Sequence, residues 1–161
     1  MNIFDFAIQR EEDGIIFYEK LAAETSIPEL KTIFTLIAEE ERLHCELFQA
    51  MKNGEDPVKA GSSVLKKAKS VFRKMLERKD IHDILKGDQD GYKHSIKAEE
   101  DCIKFYEDIA NKEKKDYVVK LLRIIAEEEK DHLSILENIY EFVEAPRTFL
   151  AWGEFSNLKE L

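Results

Sequence analysis

The chain has 161 residues, 37% of them charged, with only 6 glycines and 3 prolines, a length suited to one domain and a composition that favours long helices over a sandwich or barrel. Its formal net charge of −9 excludes a general nucleic-acid binder, which needs a basic surface for phosphate. Two cysteines, Cys45 and Cys102, with no CxxC pair, exclude a disulfide framework and a thiolate zinc site. With no basic n-region and no 18-residue apolar run, a soluble, cytoplasmic protein without signal peptide or membrane span is expected.

In chain order, residues 2–25 place apolar or small side chains at alternating steps of four and three and read as a first helix. Ser26-Ile27-Pro28-Glu29 reads as a capping box, with Pro28 in the first turn of a second helix. That helix continues to about Lys52, where Asn53-Gly54 stops it. The next segment, 53–87, is too long for a turn. Its Val64, Leu65, Ala68, Val71, Phe72, Met75 and Leu76 have helical spacing, so the crossover carries a short helix. Asp88 or Asp90 starts the next helix, which reaches about Asn111, and the last runs from about Asp116 to Glu144, before Pro146. The tail 146–161 contains Phe149, Leu150, Trp152 and Phe155, expected to pack on the bundle or on a second subunit. The expected fold is one all-α domain over 1–161, a four-helix bundle: a hairpin over about 2–52, a crossover over 53–87, and a second hairpin over 88–145.

The two hairpins repeat each other. Glu11-Glu12-Asp13 and Phe17-Tyr18-Glu19 recur 88 residues later as Glu99-Glu100-Asp101 and Phe105-Tyr106-Glu107. Ile37-Ala38-Glu39-Glu40-Glu41 with His44 recurs at the same offset as Ile125-Ala126-Glu127-Glu128-Glu129 with His132. On each helix the inward seam is apolar except near its middle. Glu11 interrupts the first seam, Glu41 and His44 the second, Glu99 the third, and Glu129 and His132 the fourth. The register selects Glu11 over Glu12 and Glu41 over Glu39 or Glu40, and it turns Glu40 and Glu128 about 100° out of the seam.

Four ionised carboxylates in an apolar interior need neutralisation, and two divalent cations would supply it. Oxygen donors with one imidazole per metal suit iron or manganese. One Glu from each of two helices plus Glu-x-x-His from each of the other two is a carboxylate di-metal pattern. The expected metal ligands are therefore Glu11, Glu41, His44, Glu99, Glu129 and His132, holding two iron ions per chain, with manganese or another divalent metal as substitute.

These residues resemble the rubrerythrin branch of the ferritin-like superfamily over nearly the whole bundle, from Asn2 to Glu144. The resemblance implies the same six ligands and a di-iron protein that reduces peroxide or dioxygen, or one that oxidises and stores iron. The chain departs from rubrerythrins proper at Cys102, where an extra carboxylate is usual, and it carries no rubredoxin-like domain with paired CxxC motifs. Electrons would then come from a separate donor protein, and a homo-oligomer, with a dimer favoured, is expected.

Tyr18 and Tyr106 fall in the seams seven residues after Glu11 and Glu99. They read either as groups beside the ligands that hydrogen-bond them or relay electrons, or as core aromatics with a satisfied hydroxyl. Cys102 and Cys45 read as small buried hydrophobes. Lys66, Lys67, Lys69, Arg73, Lys74, Arg78 and Lys79 make the crossover basic. The default reading is a solvated face; the rival is a docking patch for an acidic electron donor. His82 and His94 read as surface residues.

Overall fold

A computed structural model describes residues 2–57, 62–81 and 89–144, with the side chains of 89–91 and 144 excepted. Among these residues lie five helices: α1 (Ile3–Glu24), α2 (Pro28–Lys52), α3 (Val64–Leu76), α4 (Gln89–Lys112) and α5 (Asp116–Glu144). The expected all-α bundle of two hairpins with a helix-bearing crossover is the fold observed. Asp88, His82 and the tail after Pro146 lie outside the described residues.

The helix ends follow local chemistry. Asn2 caps α1, its side chain accepting from the Phe4 amide while Asp5 reaches back to the Asn2 amide, a reciprocal capping box. The capping box expected at Ser26–Glu29 does not form. Pro28 opens α2, and Ile27 becomes the N-cap, extended at φ −97°, ψ 110°, with no side-chain cap bond. The cause is proline, which drives the residue before it into extended backbone. At the far end of α2, Asn53 caps and Gly54 takes φ 77°, a left-handed turn that glycine adopts without strain.

Hairpins α1–α2 and α4–α5 each pack side by side, and α3 lies across α2 and α5. The core falls into two apolar clusters. One gathers Tyr18, Phe34, Phe72, Tyr92, Leu136 and Phe142; the other gathers Phe48, Met51, Tyr106, Leu122, Ile125 and Ala126. Each draws on opposite halves of the long helices, so the middles of α1, α2, α4 and α5 lie between them. Complete burial of each such large side chain contributes about 1.5–3 kcal/mol. The amphipathic α3 inserts Ala68, Phe72 and Met75 and turns Lys66, Lys67 and Lys74 outward. Among the described residues no helix is long and apolar enough to cross a membrane.

Candidate metal centre

The polar interruptions of the four seams meet between the two apolar clusters. Glu11, Glu41, His44, Glu99, Glu129 and His132 are all at most 5% exposed. Their donor atoms form two groups, Glu11–Glu41–His44–Glu129 and Glu41–Glu99–Glu129–His132, each with atoms within 4.8 Å of one another. Glu41 and Glu129 belong to both groups. The site is thus a double one, with two shared carboxylates at its centre and one further glutamate and one histidine at each end.

Both histidines point Nδ1 inward. His44 Nδ1 lies 3.1 Å from Glu11, 2.9 Å from Glu129 and 3.5 Å from Glu41. His132 Nδ1 lies 3.3 Å from Glu129 and 3.4 Å from Glu41. The outer nitrogens are held by the glutamates that the seam reading turned away: His44 Nε2 is 2.8 Å from Glu128, and His132 Nε2 is 2.8 Å from Glu40. Glu40 and Glu128 are 3% and 5% exposed, so the positions expected to turn out of the seam are buried beside it and hold the histidines. A carboxylate on the distal nitrogen fixes the ring's tautomer and orientation. The contact crosses between α2 and α5, so each Glu-x-x-His helix orients the other's histidine.

Tyr18 and Tyr106 also act across the bundle. The Tyr18 hydroxyl donates to Glu99 Oε1 and the Tyr106 hydroxyl to Glu11 Oε1, so each tyrosine serves the glutamate of the other hairpin. Burial, then the charge of the bonded glutamate, pushes both phenols well above their usual range, and they remain hydrogen-bond donors. Neither cysteine is fully buried. Cys102 receives a hydrogen bond from Arg10 at 3.1 Å, and Cys45 faces the Ile8 carbonyl at 3.8 Å. Burial pushes the Cys45 thiol up to about 12 and raises Cys102 as well, so both stay protonated. His94 is exposed, as expected.

Protonation in the centre follows burial and crowding. Burial, reinforced by Glu41 and Glu129, raises Glu11 and Glu99 well above the carboxylate range. Burial opposes ionisation of Glu41 and Glu129 too, but hydrogen bonds from Glu11, then from His132 and His44, lower Glu41, and the charge and hydrogen bond of His132 lower Glu129. Burial likewise disfavours charge on His44 and His132, yet the glutamates around them raise both well above the ordinary value. Protons thus supply the positive charge that the carboxylates require.

The donor set fits a metal pair. Glu129 Oε1 is buried without a hydrogen-bond partner, since His44 Nδ1 is near it but not aligned to donate, and a shared cation would satisfy it. The third cluster, Glu40–His44–Glu128, uses the outer nitrogen of a ring whose inner nitrogen already faces the centre, so it reads as support for His44. A cavity of about 260 Å³ between α1 and α4 reaches Glu11, Glu41, Glu99 and Glu129 from outside. Gly14 borders it, and a Cβ there would touch the Glu41 carboxylate at 3.4 Å.

Two repeated hairpins around a buried carboxylate–histidine cluster define a ferritin-like helical bundle fitted to a di-iron site. The rubrerythrin family model matches residues 2–140, and the chain belongs to the rubrerythrin family. Comparisons with curated proteins and with solved structures found no match.

Proposed function

We propose that the protein is a di-iron redox protein that reduces hydrogen peroxide, or dioxygen, with electrons from a separate donor protein. The observation that carries this reading is the pair of ligand groups sharing Glu41 and Glu129, reached by a small cavity. Glu11, Glu41, His44, Glu99, Glu129 and His132 would hold two iron ions. Adjacent irons would supply the two electrons that cleave a peroxide O–O bond without releasing a hydroxyl radical.

The chain's own residues prepare that chemistry. Glu40 and Glu128 hold the imidazoles with Nδ1 inward, and Tyr18 and Tyr106 keep a hydroxyl proton on Glu99 and Glu11. The two apolar clusters exclude water from either end. Tyr18 borders the cavity and is placed to donate a hydrogen bond to an oxygen species arriving there. The exposed Lys66, Lys67 and Lys74 of α3 suit an acidic electron donor.

Stopped-flow mixing of the iron-loaded, reduced protein with each oxidant tests the reading. Reoxidation is expected to be faster with hydrogen peroxide than with dioxygen, with about one peroxide consumed per two-metal site. Faster reaction with dioxygen, coupled to uptake of many more irons than two per chain and a shell-sized assembly, would assign the protein to iron oxidation and storage instead.

A further inference from the structure

The 88-residue repeat makes α1 and α4 equivalent, yet the gap between them is built differently at its two ends. At one end the rings of Phe6 and Phe105 pack with centroids 4.8 Å apart. Near them Arg10 crosses from α1 to α4, donating to the Ala98 carbonyl at 3.4 Å and to Cys102 Sγ at 3.1 Å. The repeat places His94 where Phe6 stands, Phe17 where Phe105 stands, Ala98 where Arg10 stands and Gly14 where Cys102 stands. At that second end there is neither a long cationic arm nor a thiol to meet it.

The cavity follows this difference. Its walls include Gly14, Phe17, Tyr18 and His94 at the second end and stop at the Arg10–Cys102 bridge, which borders it from the first; none of Phe6, Phe105 or Tyr106 lines it. All four central carboxylates border it, but the bordering tyrosine is Tyr18, the partner of Glu99.

We propose that small oxidants and anions reach the centre from one side only, through the mouth formed by Gly14, Phe17 and His94. The Phe6–Phe105 pair and the Arg10–Cys102 bridge seal the equivalent route at the other end. The inference rests on the metal-pair reading. Its consequence is that the two ends of a symmetric-looking site are unequal: molecules enter beside Tyr18 and its partner Glu99, while Glu11 borders the same cavity next to Arg10 at the closed end. Cys102 then acts as an anchor for the arm that closes that end.

The internal repeat supplies the test. His94→Phe rebuilds at the open end the aromatic pair that closes the other, because Phe17 already stands opposite. Phe6→Ala with Arg10→Ala opens the closed end. His94 and Phe6 are exposed and Arg10 is half-buried, so the fold tolerates the changes. The probe is azide, its binding to the iron-loaded, oxidised protein followed by stopped-flow absorbance, with metal content measured on the same samples. His94→Phe is expected to slow azide binding by about tenfold or more at unchanged metal content, and adding Phe6→Ala and Arg10→Ala to that variant is expected to restore the rate. An unchanged rate in His94→Phe with two metals per chain overturns this inference alone. A wild-type protein that takes up no metal overturns the metal-pair reading together with it.

Discussion

Replacing Glu128 by alanine asks whether the outer carboxylates control the histidines. His44 is fully buried, with Nε2 2.8 Å from Glu128 Oε2 and Nδ1 facing Glu11, Glu41 and Glu129. A charge-assisted bond in such a place contributes about 1.5–3 kcal/mol, and its loss frees the ring to rotate or change tautomer. Removing a partner of this kind lowers metal affinity by about 10–100-fold, or about 1.4–2.8 kcal/mol. Glu128→Gln keeps an acceptor for the Nε2 proton and is expected to recover most of the loss. Glu40→Ala is expected to repeat the effect through His132. Glu41→Ala and Glu129→Ala remove a donor common to both groups and are expected to abolish binding of the pair. Chelator-competition titration with ferrous iron under anaerobic conditions measures each affinity, and thermal melts check the fold. Wild-type affinity in both Glu40→Ala and Glu128→Ala would refute the reasoning and restore the simpler view that helical register alone picks the residues that matter.

Glu11, Glu99, His44 and His132 are all raised by folding. The stability they contribute is complete below their unfolded values, about 4.3 for Glu and 6.5 for His, and is lost as pH rises toward the folded ones, so the metal-free protein is expected to melt lower at about pH 8 than at about pH 6. Metal binding requires these groups to shed protons, so the loaded protein is expected to show the opposite slope; parallel slopes in calorimetry would contradict this. Phe72→Ala removes the fully buried ring by which α3 meets Phe142, 5.8 Å away, at a cost of about 3–5 kcal/mol. The melting temperature should fall by roughly 6–20 °C, and a fall below 2 °C would show that α3 is no part of the core.

The six central residues were legible because antiparallel helices meet along narrow seams, and a Glu or His in an apolar seam stands out. Glu40 and Glu128 were not, because the seam is narrower than the face a bundle buries. In this fold α2 and α5 lie close enough to cover the positions beside it. A signal was present: Glu40 and Glu128 repeat at the common offset, and a buried imidazole that turns one nitrogen inward needs an acceptor for the other. The tyrosine partners were illegible for a different reason. Tyr18 lies two turns from Glu11 on its own helix, yet it bonds Glu99 on another, and only the relative rotation of α1 and α4 decides between them. The closed end of the cavity is likewise a property of side-chain reach: Arg10 spans the gap, and the alanine at its repeat position does not.

Charge balance sets what such a centre would need in order to stay buried without a metal. Four carboxylates packed between apolar clusters would not stay buried if all were ionised and unpaired. Here Glu11 and Glu99 favour the neutral form, while the histidines carry charge beside Glu41 and Glu129. The protons occupy the roles that two cations would take, on the same atoms and with the same pseudo-symmetry. The apolar clusters on either side hold the helices in register without help from the centre. On this charge account, metal binding is expected to exchange protons for cations rather than to fold the bundle. On that account the metal-free protein retains its helices, and metal raises its melting temperature by mass action; loss of helical circular dichroism on removing the metal would show that the protons do not suffice.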